Sequence, residues 1–570
     1  MARKLRTALI AVAASMLFLN SVYNHLFHGP PSAATGDLLA PPLPLYLQTN
    51  PNLALSVHKQ QLLQEDQEAD RKSSRHVTAL KEPTPTVSIL IPAWEVLVIL
   101  PPETLPPASA SCLFPNNIIS TATPYGFLSA PFRPAFKCDL PARLRRRAPF
   151  PQPVLFSPEE NTPPPPSAVI QKTPAPPELL RWNFLVYESI TTENDVVLFV
   201  KGLIHRQSSS RSPTDFACVF GDDVSTGIRT AVTSSVQEVF RCQIPKLTPG
   251  IPPARTKISL EISQQNRLVP SVAYYTPPRK IATERPKSLL CACTMVYNVA
   301  KFLKEWVIYH SAIGVQRFIL YDNGSDDDLE RVVEDLTQSG YDVTTTYWIW
   351  AKTQEAGFSH CALRAKDTCK WVAFVDVDEF IYSPSWVNSS SPSQTTLRGL
   401  LPKMESSSIG QVLIGCHEFG PSHRESNPEE GVIQGYNCRR KDENRHKSIV
   451  LLDALDESLL NVIHHFRLKQ GYKGKKLRTE AVVVNHYKYQ AWAEFKTKFR
   501  RRVSAYVADW TEEVNPTSKD RTPGLGYVPV EPKGWAGKFC EVYDDRLREL
   551  TRRWFGFGLS SEQHNGLQES

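Results

Sequence analysis

The sequence lacks a strong charge bias, which excludes one large class of partner. Its 570 residues carry 65 Lys and Arg against 58 Asp and Glu, a net charge of +7. That excess is mild for this length, and no stretch interleaves basic and aromatic residues as nucleic-acid-binding modules do. The sequence therefore predicts no nucleic-acid partner. It also lacks the clustered His and Asp ligands that would indicate a metal-dependent hydrolase on an α/β sheet.

The N-terminus lacks both a long apolar run and a clear small-x-small cleavage site. Arg3, Lys4 and Arg6 precede an apolar run from about Ala8 to Phe27, which is only just long enough to span a thin bilayer. A cleaved signal peptide and an uncleaved anchor are the two alternatives, and the missing cleavage site favours the anchor. The basic flank predicts a cytosolic N-terminus. We therefore expect a cytosolic tail and transmembrane helix over 1–28, in a single-pass type II membrane protein.

Proline is abundant, with 47 residues in the chain, and it is most frequent in the first third. Residues 29–85 show little periodicity and predict a disordered stem. From 86 to 280, short β-type runs such as Val87–Ile91, Trp94–Leu100 and Asp195–Val200 are punctuated by Pro and Gly. This pattern predicts a β-rich accessory domain built from antiparallel strands.

The 11 cysteines include a repeated frame in the β-rich region. Cys112 and Cys138 are separated by 26 residues, and Cys218 and Cys242 by 24, with similar flanking sequences. The repeat predicts two related β units with one disulfide each, Cys112–Cys138 and Cys218–Cys242. An odd number of cysteines leaves at least one without an intramolecular partner.

Strands alternate with helices from residue 288 onwards. Strand patterns at 288–297, 317–322, 342–348 and 371–376 are separated by helix patterns at 298–310, 328–336 and 359–369. Such alternation predicts a mostly parallel sheet with helices on both faces. Ligands of these sheets bind at the carboxyl ends of the strands. We expect an α/β domain over 288–530 and a C-terminal tail over 531–570.

The sharpest chemical signal is a pair of carboxylates at the end of an apolar strand. Asp376 and Asp378 follow the run that starts at Trp371. Mn²⁺ and Mg²⁺ prefer oxygen ligands, and a bound cation would relieve the repulsion between two carboxylates at this position. A solvated strand end is the plainer alternative. The apolar run favours a metal site.

A second polar strand end precedes an Asn-Gly turn. Asp322 ends an apolar strand, and Asn323 and Gly324 follow it. A carboxylate at this edge could hold the ribose or base of a nucleotide, and a plain acidic turn is the alternative.

Five ordered blocks between about 288 and 510 resemble glycosyltransferase family 92. They are 296–310, 314–326, 375–380, 445–448 and 485–490, and they include Asn298, Asp378 and His486. The β-rich region before them is similar to that of plant members, including the pectic galactan galactosyltransferases, where it is thought to hold a carbohydrate-binding module.

The resemblance implies an α/β GT-A-like nucleotide-sugar transferase domain and an inverting mechanism. From the Asp-x-Asp pair we expect metal dependence, and from the predicted topology we expect a Golgi membrane protein with its catalytic domain in the lumen. The resemblance also implies a UDP-sugar donor, most often UDP-galactose, with Mn²⁺ or Mg²⁺ as cofactor and a glycan or cell-wall polysaccharide as acceptor. Asp376 and Asp378 match the metal motif, and His486 matches a late metal ligand, although a packing histidine is an equal alternative. Asn298, Asp322 and Asn323 match donor-side positions. A homo-oligomer is compatible with the sequence.

An inverting transfer needs a general base on the acceptor side of the site. His417 and Glu418 are the candidates, although a structural ion pair would explain Glu418 equally well. Cys416 stands where family motifs often carry a Trp, which leaves the acceptor pocket undefined.

Two further alternatives stay open from the sequence. The basic segment 469–502 is either a solvated face or an attraction for an anionic partner. The whole chain could also be an inactive carbohydrate-binding or scaffold protein of the secretory pathway. The intact pair Asp376 and Asp378 favours an enzyme.

Overall fold

The computed structural model describes residues 86–156, 177–204, 210–245, 256–277, 286–402, 408–497, 524–525, 528–529 and 531–556, apart from positions 103, 108, 130, 147, 463 and 532. The predicted membrane segment (1–28) and stem (29–85) lie outside these residues. Within the described part of the chain, no helix combines the length and apolarity that crossing a bilayer requires.

Residues 87–181 form the first sheet. Its strands are β1 (Val87–Ile91), β2 (Glu95–Ile99), β3 (Ala110–Phe114), β4 (Ile118–Ser129), β5 (Phe132–Asp139), β6 (Val154–Phe156) and β7 (Leu180–Arg181). Their order is β6-β3-β4-β5-β2-β1-β7, and all pairs are antiparallel except β1 with β7. Alternating apolar residues bury one face, as in β3, where Ala110, Cys112 and Phe114 point inward.

Residues 185–275 form the second sheet. Its strands are β8 (Leu185–Thr191), β9 (Asp195–Lys201), β10 (Phe216–Phe220), β11 (Ile228–Val236), β12 (Val239–Gln243), β13 (Thr256–Ile262), β14 (Arg267–Leu268) and β15 (Tyr274–Tyr275). The order is β14-β13-β10-β11-β12-β9-β8, with β15 also on β13, and every ladder is antiparallel. The predicted runs at 87–91, 94–100 and 195–200 coincide with β1, β2 and β9.

The third sheet lies in the α/β region, by which we mean the described residues from 286 to 556. The strands of this region are β16 (Ser288–Val296), β17 (Arg317–Asp322), β18 (Val343–Tyr347), β19 (Cys369–Phe374), β20 (Glu379–Tyr382), β21 (Ile409–Glu418), β22 (Cys438–Arg439), β23 (His446–Leu451), β24 (Asn461–Val462), β25 (His465–Phe466), β26 (Lys473–Lys476), β27 (Val483–His486), β28 (Gly524–Leu525), β29 (Val528–Pro529) and β30 (Val542–Tyr543). The helices are α1 (Ala300–Ala312), α2 (Leu329–Gln338), α3 (Gln354–Ala365), α4 (Val432–Gly435), α5 (Trp492–Thr497) and α6 (Arg546–Phe555).

Nine of these strands form one mixed sheet. Its order is β18-β17-β16-β19-β23-β21-β27-β20, with β26 paired to β21. The first four strands are parallel, as predicted, and β19 with β23 begins an antiparallel part. Helix α1 buries Phe302, Leu303 and Trp306 against this sheet, and it coincides with the helix predicted at 298–310. The predicted alternation of strands and helices from 288 to 376 is confirmed, with boundaries that shift by a few residues.

Five disulfides connect ten of the eleven cysteines. The predicted pairs Cys112–Cys138 and Cys218–Cys242 are confirmed. Three more pairs lie in the α/β region, and these are Cys291–Cys369, Cys293–Cys361 and Cys438–Cys540. Cys416 is the free cysteine, and it is buried.

The prediction of a C-terminal tail over 531–570 is wrong for residues 531–556. Leu547 and Leu550 of α6 are buried in the core of the α/β region, and Cys540 is bonded to Cys438. Helix α6 has a narrow apolar face, and arginines occupy most of its other positions. This high charge is why the sequence pattern did not indicate a helix that packs into the core. This segment is therefore a structural part of the α/β region.

Candidate active site

The carboxyl ends of four neighbouring parallel strands meet at one edge of the third sheet. Strands β18, β17, β16 and β19 are adjacent and parallel, so the residues that follow them gather at that edge. Asn298 follows β16, Asp322 ends β17, and Asp376 follows β19. The sheet thus places three of the predicted site residues on the ligand-binding edge expected for this topology.

A tight turn carries the Asp-x-Asp motif from β19 into β20. The backbone N–H of Glu379 donates to the carbonyl of Asp376 at 3.0 Å. The Glu379 carboxylate accepts from the Asp376 N–H at 2.8 Å. This reciprocal pair closes the turn and brings Asp378 to its tip, while Glu379 starts the next strand.

Asp378, Glu379 and His486 form a group that could hold a metal ion. One ligand atom from each lies within 4.8 Å of the others. Strand pairing brings them together, because Glu379 in β20 lies directly opposite His486 in β27. The sequence separates the two residues by more than 100 positions, so only the sheet makes them neighbours.

The two ring nitrogens of His486 have different surroundings. Nδ1 lies 3.3 Å from Glu379 Oε1, and Nε2 lies 3.7 Å from Asp378 Oδ1. Burial lowers the pKa of His486 to about 3, although Asp378 opposes the shift, so the ring is neutral at physiological pH. With the proton on Nδ1, the nitrogen nearer to Glu379, Nε2 presents its lone pair to the Asp378 carboxylate. Two acceptors that face each other in this way fit a cation between them, with Glu379 beside the second ring nitrogen.

Asp376 has a different partner. Its Oδ2 lies 2.8 Å from Lys447 Nζ, which also lies 2.7 Å from Glu379 Oε1. His464 Nε2 accepts from the same ammonium group at 2.6 Å. Although burial alone would lower it, the carboxylates of Asp376 and Glu379 raise the pKa of Lys447. Asp376 is thus in an ion pair, and it does not belong to the metal-compatible group that contains Asp378.

Three residues of this cluster received no role from the sequence. They are Glu379, Lys447 and His464. A lysine near the start of an apolar strand, such as Lys447 in β23, is a usable signal, because a buried ammonium group needs a carboxylate partner. Glu379 directly follows the predicted motif, so its proximity was another usable signal. For His464, we find no sequence signal.

The predicted donor-side residues form a hydrogen-bonded turn. Asp322 Oδ1 accepts from the backbone N–H of Ser325 at 2.9 Å and from its hydroxyl at 2.7 Å. The N–H of Asn298 donates to the same hydroxyl at 3.1 Å. Asp322 and Asn298 are therefore brought together, through Ser325, at the carboxyl ends of β17 and β16.

The contacts of Asn323 do not support the donor-binding role predicted for it. Its side-chain amide donates to the carbonyls of Trp348 and Trp350, and the side chain is buried. An amide that holds the segment after β18 in this way cannot also donate to a nucleotide. Its contacts indicate a structural role instead.

The two candidates for the general base point to opposite faces of the sheet. Glu418 in β21 lies beside His486 in the ladder, whereas His417 lies beside Asn485. Because side chains alternate along a strand, only Glu418 shares the face of His486. His417 contacts Arg439 at 3.4 Å on the other face, which does not support its predicted role.

Glu418 is 1% exposed and held by cations. Its carboxylate contacts Lys488, Arg440 at 3.5 Å and the hydroxyl of Tyr489 at 3.3 Å. Although burial alone would raise it, Lys488 and Arg440 hold the pKa of Glu418 below its usual value. These contacts match the structural ion pair that the sequence left as an alternative.

The sequence of the α/β region matches the family model of glycosyltransferase family 92 over residues 287–522. A family 92 protein of Ricinus communis is 45% identical over 391 residues, which cover 66% of this chain and 68% of the relative. One from Oryza sativa subsp. japonica is 42% identical over 414 residues, 68% of each chain.

Among solved structures, one similar protein is a mannosyltransferase of Pyrobaculum calidifontis in complex with GDP-Man and Mn²⁺. It is 12% identical with a TM-score of 0.26 and covers 40% of this chain and 67% of its own.

The match of the family model spans the whole third sheet, including the strands that carry Asp378, Glu379 and His486. The identity to the Ricinus and Oryza proteins extends over two thirds of each relative. On this evidence, the chain belongs to glycosyltransferase family 92.

Proposed function

We propose that this glycosyltransferase is metal-dependent and inverting, and that it transfers galactose from UDP-galactose to a glycan or cell-wall polysaccharide in the Golgi lumen. The observation that carries the metal dependence is the group of Asp378, Glu379 and His486 at the edge of the sheet. The two family 92 relatives described above, from Ricinus communis and Oryza sativa, are plant proteins, which supports a cell-wall acceptor.

Some residues of the site would bind the cation, and others hold the neighbouring side chains in place. Asp378 and the Nε2 atom of His486 would hold the cation, and Glu379 lies beside Nδ1 of the same ring. A divalent cation bound there would neutralise charge on the departing nucleoside diphosphate. Lys447 keeps Glu379 and Asp376 in place. Because one ligand is an imidazole, the set suits Mn²⁺ better than Mg²⁺, which prefers oxygen ligands.

None of the described side chains is assigned as the general base. Glu418 lies on the face of His486, but its carboxylate is engaged by Lys488 and Arg440, so an acceptor hydroxyl would have to displace these cations. Glu418 therefore stays a prediction for this role.

A donor screen of the full chain tests the proposal. Purified protein is incubated with UDP-galactose, UDP-glucose, UDP-N-acetylglucosamine and GDP-mannose, and release of the nucleoside diphosphate is measured with Mn²⁺, with Mg²⁺ and with excess chelator. We expect release from UDP-galactose with Mn²⁺ and none with chelator. Undiminished release with chelator would exclude metal dependence. No release from any donor, in the presence of Mn²⁺ and galactan oligosaccharides, would favour the inactive carbohydrate-binding alternative.

The luminal location has separate support and a separate test. The five disulfides fit an oxidising compartment, and the basic N-terminal flank fits type II topology. On intact vesicles, a tag after Ser570 should survive protease, and a tag before Met1 should be lost. Digestion of the C-terminal tag would contradict the luminal location.

A further inference from the structure

The hairpin of β4 and β5 in the first sheet contains a bulge. The pairing changes register between Pro124, which faces Phe136, and Phe127, which faces Pro134. Tyr125 and Gly126 therefore share the space opposite a single residue of β5. Gly126 has a φ of +81°, a conformation that glycine adopts without strain. A bulge of this kind bends a strand and redirects a side chain.

The redirected residues contact the α/β region by two reciprocal glycine–tyrosine contacts. A Cβ atom added to Gly324 would lie 2.5 Å from ring atoms of Tyr125, so the ring lies directly on this glycine. A Cβ atom added to Gly126 would lie 2.5 Å from the ring of Tyr347. The ring centroids of Phe127 and Tyr347 are 4.8 Å apart. The hairpin is thus packed closely against the end of β18 and the turn after β17.

Gly324 belongs to the turn that orients Asp322. The next residue, Ser325, donates twice to the Asp322 carboxylate and accepts from the N–H of Asn298. Movement of Gly324 would therefore shift Ser325 and, with it, both donor-side residues. Tyr125 is half-buried and is also contacted by Lys137, whose Nζ lies 4.7 Å from the ring centroid.

We propose that the β4–β5 hairpin of the first sheet is part of the donor site and that Tyr125 is its positioning residue. This inference rests on the proposed function and deepens it. The ring of Tyr125 holds the turn of residues 322–325 in the conformation that binds a nucleoside diphosphate. The first sheet thus contributes to donor binding in addition to any acceptor contacts of its own.

The test compares three variants of the full chain. Tyr125→Ala removes the ring, Tyr125→Phe keeps it, and Ile119→Ala removes an exposed side chain from the same strand (52% exposed). UDP binding with saturating Mn²⁺ is measured by calorimetry, and KM is measured for donor and acceptor. We expect Tyr125→Ala to weaken UDP binding by about tenfold, because the turn must then be ordered on binding. The acceptor KM should not change, and Tyr125→Phe and Ile119→Ala should bind UDP as the wild type does.

Hydrogen exchange supplies a readout that does not depend on activity. Amides of residues 322–325 should exchange faster in Tyr125→Ala than in the two other variants. Unchanged hydrogen exchange together with unchanged UDP affinity in Tyr125→Ala would overturn the inference. An equal increase in the KM for the donor and in the KM for the acceptor would also overturn it. If Tyr125→Ala does not fold, Tyr125→Leu keeps apolar volume and is held to the same outcomes. If the wild type itself does not bind UDP with Mn²⁺, the proposed function fails, whereas normal binding by both wild type and Tyr125→Ala removes only this inference.

Discussion

The first two sheets and the α/β region differ in the number of charged side chains that they bury. Among the described residues from 87 to 275, two charged side chains are almost fully buried, Arg133 and Glu261. In the α/β region there are seven, namely Glu305, Asp322, Asp378, Glu379, Glu418, Lys447 and Asp544. A buried charge costs free energy unless it is paired. The α/β region therefore buries more charged groups that need a partner, and the proposed metal group contains two of them, Asp378 and Glu379.

This contrast predicts that the largest effect on activity comes from a site carboxylate. Asp378→Asn should lower kcat/KM by about a thousandfold, because loss of a metal ligand removes several kcal/mol of leaving-group stabilisation. Thermal unfolding should stay close to that of the wild type. Asp376→Asn is the matched variant, and it should retain more Mn²⁺ affinity because Asp376 is paired with Lys447. Equal Mn²⁺ affinity in Asp378→Asn and wild type would contradict the assigned ligand.

The next effect is on stability within the α/β region. Lys447→Met would leave the carboxylates of Asp376 and Glu379 without their shared cation, which should cost about 3–5 kcal/mol in the free energy of unfolding. Denaturant unfolding measures this loss. Lys473→Met changes an exposed lysine of β26, and it should shift stability by less than about 0.5 kcal/mol. If Lys447→Met shifted stability as little as Lys473→Met, the buried carboxylates of Asp376 and Glu379 would not depend on Lys447 for stability.

Loss of a disulfide in the second sheet should lower stability and leave catalysis unchanged. Replacing both Cys218 and Cys242 by Ser opens a loop of 24 residues, which should cost roughly 3 kcal/mol of stability in the chain-entropy model. At temperatures where the variant is folded, kcat should match that of the wild type. Thr233→Ala on the neighbouring strand is the control. A large fall in kcat without unfolding would show that the second sheet takes part in catalysis, and the contrast between the two regions would break.

The effect with the narrowest range is confined to a pH window and concerns a buried carboxylate away from the metal group. Glu305 accepts the N–H groups of Val432 and Ile433 at 2.8 and 3.1 Å. Burial raises its pKa from 4.5 to about 7, although these donors oppose the shift. The folded protein therefore binds the proton more tightly than the unfolded chain does. This stabilisation is present below pH 4.5 and is lost as the pH rises through 7, by roughly 3 kcal/mol in all.

Unfolding of Glu305→Gln measures the contribution of Glu305. The difference in unfolding free energy between wild type and variant should vary between pH 4.5 and 7 and be constant above that range. Glu425→Gln alters an exposed carboxylate and should leave the pH dependence of the wild type unchanged. If Glu305→Gln also retains that dependence, the buried carboxyl does not titrate in this window.

Local patterns predicted much of the fold for a physical reason. Strands β16, β17 and β19 bury both faces, so they appear as apolar runs, and the polar residues that end them mark the ligand edge. Helix α1 has an apolar face that periodicity detects. The paired cysteines of the first two sheets are detectable because the same frame occurs twice. Helix α6 was missed because few of its residues are apolar.

The sequence by itself determined the alternation of strands and helices from 288 to 376, the position of Asp376 and Asp378 at a strand end, and two of the five disulfides, because each depends on residues close together in the chain. Tertiary structure alone decided that Glu379 faces His486 and that Lys447 forms an ion pair with Asp376. It also decided that His417 and Glu418 lie on opposite faces of the sheet, and that Tyr125 lies on Gly324. The physical reason is strand register. A ladder joins residues that are distant in the chain, and a shift of one residue would turn every side chain to the other face.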